Sequence, residues 1–374
     1  MKKINMANPY FDKEQKDFIH SELDNILDGK LSMGPNVKKF EDEISERFKV
    51  KYAVAMNSCT SALEAGLLSQ KICGKEVILP SQTFIGSVMA IHLNGGIPIF
   101  AEIDSHSHCL NLSSIEEKIT KKTAGILLVE MSGIIPDNIY KIKELCKKNK
   151  IFLMEDSAHS IGAVSQGNFA GTIGDIGCFS FYPSKVITSG EGGMLVTNDN
   201  KIANFAKSYQ NRGLDITKRK ELYSMPGRNV RMPELSALLG LSQLKKLNSF
   251  IKKRRLLAEV YIKELGENSH INLIIPKKIE SSSFWKFGIN IKETEIRDRI
   301  VKYMSQHKIY VDIAYDPPIH LQPVIKKYYN TSEGFLPKTE EILKGHIFLP
   351  CHPQLAPKDI IFICKVFKEA LNNY

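Results

Sequence analysis

Four short stretches of the 374-residue chain hold residue types that could do chemistry. In Asn57-Ser58-Cys59-Thr60-Ser61, backbone N–H groups opening a helix and the hydroxyls of Thr60 and Ser61 could hold a phosphate, or could simply cap the helix. In Pro80-Ser81-Gln82-Thr83-Phe84, the ring of Phe84 could stack on a flat cofactor, or pack as an ordinary core side chain. Glu155 to Ser160 closes an apolar run, and Asp156 there must find a partner because a lone buried carboxylate is costly. Capping a neighbouring element would also satisfy it, and a lone histidine such as His159 is more often a satisfied core residue than a catalytic one. The fourth stretch, Cys178 to Asn198, is CFSFYPSKVITSGEGGMLVTN. It places Lys185 in a turn between two apolar strands, where an ammonium is seldom found without a reason. Desolvated, it is a neutral amine able to form a Schiff base with a carbonyl; otherwise it reaches from the turn into water.

Taken together the four are a phosphate cradle, a ring stacker, an acid and a lysine. That is the set pyridoxal 5'-phosphate requires: an anion site, a flat contact, an acid beside the pyridine nitrogen and an amine for the aldehyde.

The elements that must position these residues can be read from periodicity. Asp12 to Leu27 carries Phe18, Ile19, Leu23, Ile26 and Leu27 on one helical face, with Gly29 placed to end it. Strands then alternate with helices: strands at Tyr52–Met56, Glu76–Leu79, Ile97–Phe100, Ile126–Met131 and Ile151–Met154, helices at Ser61–Leu68, Phe84–Leu93 and Asp137–Lys148. Such apolar runs belong to a parallel sheet covered on both faces, whose ligands sit at the carboxyl ends of the strands. Met232 to Lys263 predicts one long helix leading to a smaller α+β domain, which ends in a helix over Pro357–Asn372. The expected division is an N-terminal helical segment (1–30), a large α/β domain (31–248) and a small C-terminal domain (249–374).

Composition narrows the class. The formal charge is +10, mostly from lysines spread among acids rather than gathered in a patch, which argues against nucleic acid and for a solvated surface. Seven cysteines without a CxxC pair suggest neither a disulfide framework nor a metal site, and fit a reducing cytoplasm. The N-terminus lacks a signal-peptide core and no apolar run approaches the ~20 residues that span a bilayer, so no membrane partner is expected. A nicotinamide dehydrogenase would share the α/β alternation, but no G-x-G-x-x-G follows the first strand.

The segments SMGPNVKKFE, YAVAMNSCTSAL, EDSAHSIGA, GDIGCFSFYPSKVITSGEGGMLVTND, GRNVRMPELSALLG and PPIHLQP resemble those of the DegT/DnrJ/EryC1/StrS aminotransferases. That resemblance implies fold type I, with a mostly parallel mixed sheet in the large domain. It makes Lys185 the Schiff-base lysine, Asp156 the partner of the pyridinium nitrogen, Phe84 the stacking residue and His159 the neighbour of the phenolic oxygen. Thr60, Ser61 and Ser180 become phosphate ligands. Asn229 becomes a residue reaching the phosphate of a neighbouring subunit, hence a homodimer with shared active sites. Arg231 and His320 match positions near the substrate opening and are candidates for gripping anionic groups. The implied reaction moves an amino group from L-glutamate to a keto sugar, most often a nucleotide-linked 4-keto-6-deoxyhexose used in surface polysaccharide. The same chemistry on a smaller phosphorylated ketone, or a non-catalytic cofactor-binding protein, are the alternatives. Cys59 stands where glycine is usual, Glu130-Met131-Ser132-Gly133 where VHLYG is common, and Arg212 where histidine is common.

Overall fold

The computed structural model describes residues 3–218 and 220–373; the outer limits of the expected segments, residues 1 and 374, lie outside the described residues. Helix α1 (Lys13–Leu27) opens on a capping box formed by Asp12 and Gln15, and α2 (Pro35–Phe48) buries Phe40, Ile44 and Phe48 at helical spacing. Strands and helices then alternate: β1 (Tyr52–Met56), α3 (Cys59–Ser69), β2 (Glu76–Pro80), α4 (Ile85–His92), β3 (Ile97–Ala101), α5 (Leu112–Lys118), β4 (Thr123–Val129), α6 (Ile139–Asn149) and β5 (Phe152–Asp156). A two-stranded ribbon, β6 (Val164–Ser165) with β7 (Asn168–Phe169), leads to β8 (Ile176–Ser180) and β9 (Gly193–Thr197).

Seven strands form one sheet in the order β1-β9-β8-β5-β4-β2-β3. β9 runs antiparallel to β1 and β8, and every other pairing is parallel, so the sheet is mixed and mostly parallel as expected. β5 and β8 are buried along their whole lengths, and β4 everywhere but Ala124, because helices cover both faces. The arrangement brings the carboxyl ends of β1, β2, β4, β5 and β8 to one edge, and reversed β9 starts from that same edge.

Beyond α7 (Asn200–Gln210), the single helix expected over Met232–Lys263 is in fact two, α8 (Glu234–Leu244) and α9 (Leu247–Leu265). The chain turns at Lys245-Lys246, where Lys246 Nζ pairs with Asp12 and Glu14 at the start of α1. Leu244 and Leu247 on either side of the turn are both buried. Helical periodicity survives such a turn, which is why the pattern reads as continuous.

The first half of α9 packs Phe250 and Ile251 with the large sheet's core, and its second half packs Leu257, Ala258, Tyr261 and Leu265 into a second core. That second core lies under an antiparallel sheet of β10 (Ile271–Ile274), β11 (Phe287–Ile291) and β12 (His346–Leu349), with α10 (Arg297–Gln306) and α13 (Pro357–Asn372) against it. Between them, α11 (Pro323–Tyr329) and α12 (Pro337–Gly345) return the chain toward the large sheet. No helix among the described residues is long and apolar enough to cross a membrane.

Candidate active site

A cavity of about 510 Å³ opens at the edge where the strand ends converge. β1 delivers Ser58, Cys59 and Thr60, β2 delivers Thr83 and Phe84, β5 delivers Asp156, and β8 delivers Ser180. Lys185 enters from the turn joining β8 to β9, a connection that bends through Gly190 at φ 80°.

The floor is the start of α3. Ser58 is its N-cap, accepting a 3.1 Å hydrogen bond from Ser61 N on its Oγ, which leaves the N–H groups of the first turn facing the strand ends. Two glycines let the neighbours close on this turn. A Cβ on Gly193 would lie 2.3 Å from Cys59 N, and one on Gly86 would lie 2.6 Å from Thr60 Oγ1. Thr60 and Ser180 line the cavity, whereas the Ser61 hydroxyl turns away from it to donate to Asn57 Oδ1 at 2.8 Å. Phe84, the N-cap of α4, is 59% exposed and stands free at the mouth instead of packing in the core.

Asp156 ends β5 and is buried. Ser87 Oγ donates to its Oδ2 at 2.8 Å, Ala158 N donates to Oδ1 at 3.2 Å, and the Cys59 thiol lies 4.0 Å from Oδ1. Burial pushes its carboxyl up, against the pull of Ser87, Ala158 and the Lys185 charge. Lys185, half-buried, is brought down to about 8, chiefly by desolvation; Lys286 acts in the same direction, and Asp156 and Cys59 oppose it. An amine in that range is neutral often enough at physiological pH to act as nucleophile or base.

His159 is buried, and desolvation with the positive charges of Lys185 and Lys286 holds it well below the usual histidine range, hence neutral. Its ring stacks on Trp285 at 3.8 Å and an interplanar angle of 16°. Among the described residues its Nδ1 has no hydrogen-bond partner. An orphaned nitrogen beside a cavity points to a ligand atom.

The second core closes the cavity with residues that carry no motif: Trp285 and Lys286 just before and at the approach to β11, then Asp312, Ala314 and Tyr315. Lys286 Nζ is ion-paired with Asp312 and sits 3.9 Å from the Trp285 ring centroid. The only sequence signal available for this wall was that Trp285 is the chain's single tryptophan.

Three of the expected contacts lie elsewhere. Asn229 is exposed on the segment that pairs Asn211 with Asn229, outside the cavity. Arg231 lines a neighbouring pocket and donates to Asn211 Oδ1 at 2.5 Å, and among the described residues its Nε has no partner. His320 requires a correction. Its ring is buried, Nδ1 lies 2.6 Å from Ser81 Oγ and Nε2 lies 3.0 Å from Glu340 Oε1, so neither nitrogen is free for a substrate. The proline-rich loop it belongs to docks on the end of β2, through Ile319 N to Ser81 O at 3.0 Å, and buries the ring there.

The donor set fits pyridoxal phosphate: an N-terminal helix turn with hydroxyls, an exposed aromatic, a buried acid, a lysine with a lowered pKa and an orphaned imidazole nitrogen share one cavity. Comparison with known proteins agrees. The model of the DegT/DnrJ/EryC1/StrS aminotransferase family matches residues 13–368. A GDP-perosamine synthase from Escherichia coli O157:H7 is 33% identical over 370 residues, covering 99% of each chain. The structure of PseC from Helicobacter pylori, described as an aminotransferase involved in the biosynthesis of pseudoaminic acid, superposes with a TM-score of 0.92 at 26% identity over all of both chains. That of ntda from Bacillus subtilis, solved with the cofactor PMP bound, gives 0.87 at 26% identity, covering all of this chain and 87% of that one. The chain belongs to the DegT/DnrJ/EryC1/StrS family and is a pyridoxal-phosphate-dependent aminotransferase.

Proposed function

We propose that the chain transfers an amino group from L-glutamate to the keto group of a nucleotide-linked 4-keto-6-deoxyhexose. The observation that carries the chemistry is the convergence of Lys185, Asp156 and the first turn of α3 on one cavity. The likeness to a protein named for a GDP-linked amino sugar supports the acceptor class. When bound, pyridoxal phosphate supplies an electron sink for the carbon that bears the nitrogen.

The chain's own residues do the rest. N–H groups at the start of α3, with Thr60 and Ser180, hold the phosphate, and Phe84 covers the ring. Asp156, ionised by its partner's positive charge despite burial, keeps a proton on the pyridine nitrogen. His159 holds the phenolic oxygen through its free nitrogen. The amine of Lys185 would move a proton between the donor's α-carbon and the cofactor carbon on the other side of the nitrogen, and in the reverse direction for the acceptor. Ser61 supports this set by fixing Asn57 and the helix start. Asn229 reaches instead toward a second copy, forming a homodimer, and Arg231 stays a candidate for gripping an anionic group of the substrate. Exposed Met33, Leu222 and Tyr223 would otherwise leave apolar surface in water.

Borohydride reduction of the loaded enzyme followed by peptide mapping tests the lysine: the pyridoxyl label belongs on Lys185, and its appearance elsewhere refutes the assignment. The aminated enzyme, mixed with GDP- or dTDP-linked 4-keto sugars, should recover its visible absorbance. Failure of every such keto sugar to restore it removes the acceptor class.

A further inference from the structure

We propose that Trp285 is the positioning residue for Lys185, and that through it the smaller core sets the behaviour of the lysine; this rests on Lys185 being the cofactor lysine. Four contacts meet at the one indole, which is 5% exposed. Its Nε1–H donates to the carbonyl of Ser184, the residue before Lys185, at 2.6 Å. The ring stacks on His159 at 3.8 Å, Lys185 Nζ stands 4.3 Å from its centroid, and Lys286 Nζ stands 3.9 Å from it.

Each contact has a separate physical effect. The hydrogen bond fixes the backbone of a turn otherwise held by Lys185 N donating to Tyr182 O at 2.9 Å. Stacking on His159 removes the indole's freedom to swing, so the lysine stem lies along a rigid face. The ring's negative face attracts a cation on Lys185. Lys286, held by Asp312, places a second positive charge against the same ring and opposes it. Asp312 is itself anchored, its N–H donating to Phe348 O at 3.0 Å and its carbonyl accepting from Phe348 N at 2.7 Å on β12. A charge balance at the lysine is thereby built from residues about a hundred positions further along the chain. The charged and titratable groups facing this centre are Lys185, Lys286, Asp312, His159, Asp156 and Cys59, with Tyr315 OH 3.4 Å from His159 Nε2.

The test uses the full chain loaded with pyridoxal phosphate, comparing Trp285→Phe, Trp285→Leu and Lys286→Met, with Lys185→Ala as reference. Two quantities are read: the pH midpoint of the visible absorbance of the lysine-linked cofactor, and the single-turnover rate with glutamate against its half-saturating concentration. Trp285→Phe keeps a ring and loses the donor, and should slow the turnover about tenfold; Trp285→Leu should slow it about a hundredfold, with half-saturation within about twofold of the parent, as expected for misplacement of a reacting group. The midpoint should fall in Trp285→Leu, which loses the attraction for the cation, and rise in Lys286→Met, which loses the opposing charge. Parent rate and parent midpoint in the tryptophan variants overturn the proposal, and Trp285→Phe alone decides it if Trp285→Leu does not fold. A pyridoxyl label that maps, after borohydride reduction of the loaded parent enzyme, to a residue other than Lys185 overturns the lysine assignment itself and the proposal with it, so the two failures are told apart.

Discussion

Ser87 Oγ donates a 2.8 Å hydrogen bond to Asp156 Oδ2 from the first turn of α4, and accepts one from Thr83 Oγ1 at 3.0 Å. The acid at the end of β5 is therefore oriented by a helix that starts from a different strand. The bond favours the carboxylate, against burial, so its loss raises the Asp156 pKa. Ser87→Ala should shift the acid limb of the pH–rate profile with glutamate to higher pH. A hydrogen bond to a charged group contributes about 1.5–3 kcal/mol, so the rate at neutral pH should fall roughly ten- to a hundredfold. Stopped-flow measurement across pH reads both; an unmoved acid limb would falsify the orientation by Ser87.

Lys185 titrates at about 8, and only its neutral form attacks the cofactor aldehyde. Loading of cofactor-free protein should accelerate about tenfold per pH unit below that value and level off above it. Growth of visible absorbance with time gives the rate. A plateau beginning only near the ordinary lysine range would show that the site does not depress this amine.

His320 ties the proline-rich loop to β2 through Ser81 and to α12 through Glu340, and Thr331 Oγ1 donates to its carbonyl at 2.5 Å. His320→Ala leaves the Ser81 and Glu340 groups short of partners, which costs about 1–3 kcal/mol. Chemical denaturation should record that loss while half-saturation by the keto sugar stays near the parent value. A large rise in half-saturation with unchanged stability would restore His320 to the substrate.

Glu130 and Glu155 form a buried carboxyl pair behind Asp156. Glu155 accepts from Gly171 N at 3.0 Å, Ile173 N at 2.7 Å and Gly174 N at 2.5 Å, a nest that suits a carboxylate. Burial and the Glu155 charge push Glu130 well above the usual range, so Glu130 carries the proton. Glu130→Gln should therefore change stability by less than about 1 kcal/mol, whereas Glu155→Gln should cost about 3 kcal/mol because an amide NH₂ meets backbone donors. Equal losses in thermal unfolding would contradict this division of charge.

The sequence is most legible where the chemistry is local. Asp156, Lys185, Phe84, Thr60, His159 and Ser180 each follow or end a strand, and a parallel sheet gathers such positions at one edge, so all six line the cavity. Three kinds of feature resist that reading. Ser61 differs from Thr60 by one helical step, enough to turn its hydroxyl to Asn57, and spacing does not distinguish the two. His320 sits in a recognisable motif whose ring docks inward, a choice made by Ser81 from 239 residues away. Trp285, Lys286 and Asp312 arrive from the smaller core, with nothing in SSSFWKF to show which wall they would complete. The helix predicted as continuous breaks at Lys245-Lys246 because ion pairs with α1, invisible to periodicity, hold the turn.

Trp285 is the only tryptophan in the chain, and Lys185 Nζ lies 4.3 Å from its ring. All indole emission from this protein therefore originates beside the lysine, within contact range of whatever that lysine carries. An absorbing group attached there will quench the emission, and its departure will restore it. The enzyme carries its own optical gauge of site occupancy, readable without a label.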